Sequence, residues 1–199
     1  MHWIELEGRH VPVRIGGHPG LDFCNTWAGW DDRTNPRGEW LRTYDDFAVW
    51  TLHAELVSTS DVRRLRRSAA RDPGRATRVL SEARTLRTAA HTVALDPSNR
   101  GAMAVVTRYV RRSGSAVRVT PGRRPAWGFG ADSGLDLPLL ATAWAVGDLV
   151  TREDLGRVSA CPGHECGWLF LDPRGRRKWC SMASCGNRAK VASFARRHG

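Results

Sequence analysis

The sequence has little lysine, no long apolar run and no recognisable export signal. Only two of its 31 basic residues are lysine, so arginine supplies nearly all the positive charge. The longest apolar candidate, 137–146, contains Pro138 and falls well short of the ~18 residues that a membrane helix needs. The N-terminus lacks the basic-then-apolar layout of a secretory signal. We therefore expect a cytoplasmic protein without a membrane segment.

The remaining composition is that of an ordinary globular protein with a large excess of positive charge. Hydrophobic residues make up 41% and charged residues 26% of the 199 positions, which argues against wholesale disorder. This length can bury a core without disulfides. A GC-rich genome would explain arginine in place of lysine, but not a formal net charge of +11. The excess therefore makes nucleic acid or another polyanion a partner to test.

The positive charge is unevenly distributed along the chain. Residues 1–60 carry a net −4, 61–90 a net +6, 91–160 a net +3 and 161–199 a net +6. We call 61–90 the helical block and 161–199 the C-terminal block. In the helical block three arginines follow at helical spacing with three more nearby: Arg63, Arg67 and Arg71, with Arg64, Arg75 and Arg78. They could extend a polyanion-binding surface, and an ordinary solvated helix face explains them at least as well.

Apolar spacing predicts a mostly helical N-terminal part. Thr43 is a predicted N-cap, because Asp46 three residues later resembles a capping box. Alternation at Val117 and Val119 predicts a β-hairpin around Pro121 and Gly122. The predicted elements are short strands within 3–7 and 10–15, helices that begin at Thr43 and Ser60, helices through 79–93 and 102–110, a hairpin within 116–129 and a helix through 138–150.

Four of the five cysteines form two pairs with equal four-residue spacers: Cys161 and Cys166, then Cys180 and Cys185. Two such loops that meet at one point supply the tetrahedral thiolate set of Zn²⁺. Disulfides do not fit a cytosolic protein, and paired cysteines are a poor fit to a catalytic thiol. Four protein ligands leave no coordination position for water, so we predict one structural zinc. His164 is a weaker candidate ligand, and Cys24 is interpreted as a small buried residue.

The segment around these cysteines predicts a treble-clef-like finger. We expect a hairpin of 167–172 with 176–179 around a turn at 173–175, followed by a helix with Cys185 in its first turn. Trp168 and Trp179 would form its small core, and Val191, Phe194 and Ala195 would pack toward the hairpin. Because a finger this small folds on its metal, Cys166→Ser should unfold it and leave the helical part folded.

Two motifs resemble a known family. Cys161-Pro-Gly-x-x-Cys-Gly-Trp-Leu-Phe-Leu-Asp172 with Arg177-x-Trp-Cys-Ser-Met-x-x-Cys-Gly-Asn-Arg-x-Lys190 resembles the CGNR zinc finger over nearly all of 161–194. Gly20-Leu-Asp-Phe-Cys-Asn-Thr26 is similar to the Asp-Phe-x-Asn-Thr motif of the ABATE domain, which usually precedes this finger. Pro173 departs from the Ser-Arg-Asn-like turn of many relatives. The family is bacterial, and its members are regarded as stress-induced transcription regulators, which implies DNA binding.

The resulting fold class is α+β. A mainly helical, ABATE-like N-terminal domain with a small β-hairpin covers 1–156, and a treble-clef-like CGNR zinc finger covers 157–199. In this finger the candidate nucleic-acid contacts are eight cations: Arg174, Arg176, Arg177, Lys178, Arg188, Lys190, Arg196 and Arg197. Arg188 is assigned to phosphate. Asn187 is assigned to a hydrogen bond with the metal loops, with base reading as the alternative.

The predicted function is that of a zinc-dependent DNA-binding regulator whose N-terminal domain senses a ligand or forms a homodimer. Asp22, Asn25 and Thr26 are candidates to line a small-ligand pocket, and turn chemistry explains them equally well. One alternative is an enzyme that acts through His18, Asp22 and Asn25. The sequence shows no nucleophile–base pair, phosphate loop or open metal site, so we expect no enzyme. A second alternative is an RNA- or protein-binding adaptor.

Overall fold

The computed structural model describes residues 3–30, 38–121, 123 and 125–198. The described chain contains seven α-helices and six short strands. The helices are α1 Pro19–Cys24, α2 Tyr44–His53, α3 Thr59–Arg71, α4 Pro73–Leu95, α5 Arg100–Gly114, α6 Leu137–Arg152 and α7 Asn187–His198. The strands are β1 Trp3–Leu6, β2 Arg9–Pro12, β3 Val117–Thr120, β4 Ala126–Phe129, β5 Val158–Ala160 and β6 Leu169–Leu171.

Side-chain caps define where the helices begin. Thr43 and Asp46 form the predicted capping box of α2. The N-cap of α3 is Ser58, two residues before the predicted start at Ser60, because Ser58 and Asp61 close a second capping box. Asp72 ends α3 and accepts a hydrogen bond from the backbone N–H of Arg75, so α4 starts with no intervening loop.

Helix α1 was not predicted, because its six residues are too few to show a period. Pro19 occupies its first turn, and the His18 ring nitrogen Nδ1 accepts a hydrogen bond from the backbone N–H of Gly20. Gly20 packs so closely on α6 that an added Cβ would lie 3.0 Å from the Leu149 side chain. The helix is therefore held by burial rather than by its own propensity.

The main core lies between α1, α2, α4, α5 and α6. Phe23, Phe47 and Trp50 are fully buried, with 5.4 Å between the ring centroids of Phe23 and Trp50. Cys24 is buried as expected, and burial raises its thiol pKa to about 12, so the group is unreactive at neutral pH.

The strands form three separate two-stranded antiparallel sheets. The predicted hairpin at 116–129 is confirmed, with Val117 opposite Phe129, although Gly122 at its turn lies outside the described residues. The mainly helical α+β fold is also confirmed. None of the described helices combines the length and apolar character of a transmembrane segment.

Candidate metal centre and nucleic-acid interface

The four predicted cysteines meet at one point. Cys161 and Cys166 lie on the loop that joins β5 to β6, and Cys185 lies in a π-helical turn, Met182–Gly186, that leads into α7. All four are buried, and their Sγ atoms lie within 4.8 Å of one another. The Sγ of Cys180 is 3.6 Å from that of Cys166 and 3.5 Å from that of Cys185. A tetrahedral zinc with ~2.3 Å bonds places its sulfurs about 3.8 Å apart, so the set fits one structural zinc.

The first metal loop is tight and leaves His164 outside. An added Cβ at Gly163 would lie 2.9 Å from the Cys185 sulfur, so no larger residue fits there without a shift. The His164 side chain is 91% exposed. The donor set is therefore four thiolates, with the imidazole directed to solvent.

The predicted hairpin of the finger is wrong in its pairing. Strand β6 pairs with β5 upstream, with Phe170 opposite Ser159, and not with 176–179. The reason is Asp172, whose carboxylate accepts the backbone N–H groups of Arg176 and Arg177 at 3.1 and 2.8 Å. Those two donors are thus used inside the turn and cannot form a strand ladder with β6.

Two of the eight candidate cations donate side-chain hydrogen bonds inside the finger. Arg188 donates a hydrogen bond of 3.1 Å to the Cys185 sulfur, which is the contact that we assigned to Asn187. The Arg177 guanidinium lies 4.3 Å from the centre of the Phe170 ring and donates to the carbonyls of Trp179 and Cys180. Both arginines therefore brace the metal loops. Their contact with nucleic acid stays a prediction.

The other six cations lie exposed on the finger: Arg174, Arg176, Lys178, Lys190, Arg196 and Arg197. Within the described residues, no carboxylate forms an ion pair with any of the eight. The finger has only two acidic residues, Glu165 and Asp172, and Asp172 is already bound to the backbone. The described surface of the finger is therefore strongly cationic, with Glu165 as its one acidic side chain not bound to the backbone.

The small core of the finger contains the two predicted tryptophans but not the predicted residues of α7. Val191 and Phe194 on α7 are 70% and 59% exposed, so neither is buried in the core of the finger. Trp168 is buried as expected, and Trp179 packs against it together with Phe170. Further side chains reach this core from the N-terminal part, namely Val13, Ile15 and Ala28. Part of the apolar support of the metal centre therefore comes from outside the finger.

Asn25 joins the finger to the N-terminal part. Its side-chain amide donates to the Leu169 carbonyl at 2.9 Å and accepts from the Leu169 N–H at 2.7 Å, as a neighbouring strand would. Leu169 is fully buried in the main core. The Trp168 indole N–H donates to the Trp27 carbonyl at 2.9 Å, and Gly29 N–H donates to the Cys166 carbonyl at the same distance. The finger is thus anchored on the helical part.

The candidate pocket residues are largely occupied by protein partners. Thr26 is fully buried and its hydroxyl donates to the Phe23 carbonyl and accepts from Arg87. Asp22 accepts the backbone N–H groups of residues 15 and 16, and burial raises its pKa in spite of these hydrogen bonds. Asp22 also borders an open hollow with Arg14 and His18. A ligand at Asp22 stays a prediction, whereas Asn25 and Thr26 hold the fold together.

Comparisons with known proteins agree with this arrangement. The family model ABATE, described as "Putative stress-induced transcription regulator", matches residues 17–153. The model of the CGNR zinc finger matches residues 157–198, directly after it. A search of curated proteins finds no match.

Proposed function

Because the chain belongs to the ABATE family and ends in a CGNR zinc finger, we propose that it is a zinc-dependent, DNA-binding transcription regulator. In this proposal 157–199 is the DNA-binding domain and 1–156 is the regulatory domain, which senses a ligand or forms a homodimer. The family points to a regulator rather than an enzyme. The observation that carries the proposal is the set of eight finger cations without an ion-pair partner among the described residues.

The unpaired cations favour phosphate contact for an energetic reason. An arginine that already pairs with a carboxylate must give up that pair before it binds phosphate, whereas an unpaired one releases only counterions from the DNA. The exposed cations of the turn (Arg174, Arg176, Lys178) and of α7 (Lys190, Arg196, Arg197) both belong to this unpaired group.

A hollow beside the metal centre supports the same assignment. It encloses about 320 Å³ between the first metal loop and α7, and its polar lining includes His164, Arg188 and Arg196. Arg188 is fixed by the Cys185 sulfur and so needs little further ordering. A backbone phosphate placed here would contact Arg196 and lie next to the metal loop.

Anisotropy titrations of labelled duplex DNA with the zinc-loaded full chain test the proposal. We expect affinity to fall steeply with salt, with a slope of about 0.9 per phosphate contacted. After chelation and in Cys166→Ser, binding should fall to the level that the helical block supports alone, and an RNA duplex of the same sequence should compete poorly. Absent or salt-insensitive DNA binding would overturn the proposal, and stronger competition by RNA would favour the RNA-binding adaptor.

A further inference from the structure

Two tryptophans border an open hollow in the helical part, away from the metal centre. Trp127 of β4 and Trp144 of α6 lie with their ring centroids 5.7 Å apart and their planes tilted by 58°. Trp127 is 63% exposed, although an indole gains much from burial. The hollow encloses about 310 Å³, which suits a molecule with one or two fused rings.

The floor of the hollow depends on a glycine. Gly147 of α6 faces Val110 of α5, and an added Cβ would lie 3.2 Å from the valine methyl groups. The absence of a side chain at 147 therefore lets the two helices approach and leaves the indole faces uncovered above them. This part of the hollow is apolar.

The other end of the hollow carries a carboxylate. The Asp148 side chain is 42% exposed. Its Oδ2 lies 3.2 Å from the His18 Nε2, and its Oδ1 lies 3.4 Å from the Arg152 Nε. The Arg152 side chain is 77% exposed, and such a pair contributes little. The hydroxyl of Thr151 is turned away, because it donates to the Gly147 carbonyl. Arg152 is thus the weakly held group at Asp148, which among the described residues is the one acidic side chain that lines the hollow.

We propose that this hollow binds a small organic cation with a flat aromatic ring. The ring would contact the indole faces, whose π electrons attract positive charge, and the cationic nitrogen would replace the Arg152 guanidinium at Asp148. A neutral ring gains only the indole contact, and an anion cannot form the ion pair with Asp148. The hollow therefore selects for positive charge as well as for shape.

The position of the hollow relates it to the finger. Asp148 contacts His18, which caps α1, and Asn25 directly after α1 holds Leu169 of the finger. A role as an effector site rests on the proposed regulator function. Binding to the hollow is independent of it, because it is measured without DNA.

Calorimetric titration of the zinc-loaded full chain with N-methylquinolinium, and with its uncharged counterpart quinoline, tests the inference. We expect the cation to bind about tenfold more tightly than quinoline. Trp127→Ala should weaken the cation about tenfold, and Trp3→Ala on β1 serves as the matched tryptophan control. Because Trp127 is exposed, the helical circular dichroism of its variant should not change.

Two variants of the acidic end separate charge from shape. Asp148→Asn should lower the affinity for N-methylquinolinium about tenfold and change the affinity for quinoline by less than about twofold. Arg152→Ala removes the competing guanidinium and should raise the affinity for the cation about twofold. A variant that only destabilised the protein would not raise this affinity. Equal affinity for the two probes, no binding at millimolar concentration, or unchanged binding in Trp127→Ala would overturn the inference.

Discussion

The helical block and the C-terminal block carry the same net charge of +6, but they are neutralised to different extents. Within the described residues, five of the nine arginines in the helical block form ion pairs: Arg64, Arg66, Arg75, Arg84 and Arg87. Several partners, such as Asp45 and Glu39, come from the acidic first 60 residues. None of the eight cations in the C-terminal block forms an ion pair with any described residue. Segment charge is therefore a guide to binding only after tertiary contacts are known.

The comparison is one of degree, because the helical block keeps some exposed cations. Arg63, Arg67 and Arg71 follow one face of α3 and have no ion pair among the described residues. They are spread over one face of a single long helix, whereas the finger concentrates its cations on a turn and a helix around one metal centre. Variants that remove the metal or the charge of either block test whether this difference determines DNA binding.

Loss of zinc should have the largest effect. Cys166→Ser removes one ligand, so the metal should be lost and DNA binding should fall to the level that the helical block supports alone. Because Leu169 and Trp168 contact the N-terminal part, we also expect amide shifts in 25–30 and not only after residue 160. Zinc content, anisotropy and an amide NMR spectrum measure this. Cys24→Ala is the control cysteine, and a tail spectrum unchanged by Cys166→Ser would contradict the expectation.

Matched charge removal in the two blocks should have the next largest effect. Arg174→Gln, Arg176→Gln and Lys178→Gln together should weaken DNA binding roughly a hundredfold at low salt and lower the salt slope by about 3. The same charge change in α3, at Arg63, Arg67 and Arg71, should lower the affinity for DNA less than about threefold. Anisotropy titrations at several salt concentrations compare the two triples. Similar losses would mean that both blocks bind DNA.

Asn25→Ala tests whether the finger is anchored on the helical part. The variant leaves the buried N–H and carbonyl of Leu169 without partners, which should lower the free energy of unfolding by about 2 kcal/mol. Asn187→Ala changes an exposed side chain of the same type and should change the free energy of unfolding by less than about 0.5 kcal/mol. Urea unfolding of the zinc-loaded proteins measures both. Equal stabilities would show that the finger does not depend on this anchor.

Asp45→Asn should have the smallest effect, because it weakens one ion-pair cluster of the helical block. Burial alone would raise the Asp45 pKa, but hydrogen bonds from Arg66 and Arg9 lower it below its ordinary 3.8. A lowered pKa stabilises the fold above that value, and the stabilisation is lost as pH falls through the folded-state pKa. We expect a loss of about 1 kcal/mol at neutral pH that shrinks below about pH 3.8. Urea unfolding of the original protein and the variant at neutral pH and below about pH 3.8 measures this loss. A stability difference between the two proteins that is larger in acid would contradict the expectation.

The sequence predicted the metal centre well because its signal is local. Two equal Cys spacers place the thiolates on two loops whatever surrounds them, and the helix cap at Thr43 likewise depends on Asp46 three positions away. The pairing of β6 was wrong because Asp172 competes for the backbone N–H groups that the hairpin needed. A carboxylate at the start of a turn is a recognisable signal for this competition.

Contacts between distant segments could not be predicted. Asn25 and Leu169 are 144 positions apart, so no spacing rule joins them, although Asn25 lies in the motif that resembles the family. That Arg188, and not Asn187, contacts the Cys185 sulfur depends on which side chain faces Cys185 after the π-helical turn. That turn shifts the helical register, and side-chain direction at a helix start follows register.

The Asn25–Leu169 pairing has a consequence for modular engineering. A finger cut out at 157 and fused to another protein would carry Leu169 into water and leave its backbone without the amide that binds it here. The donor protein would in turn expose Val13 and Ile15, which pack against the small core of the finger. The two segments therefore cannot be exchanged as independent domains. Chimeras that take both sides of this interface from one parent should be more stable than chimeras that combine two parents.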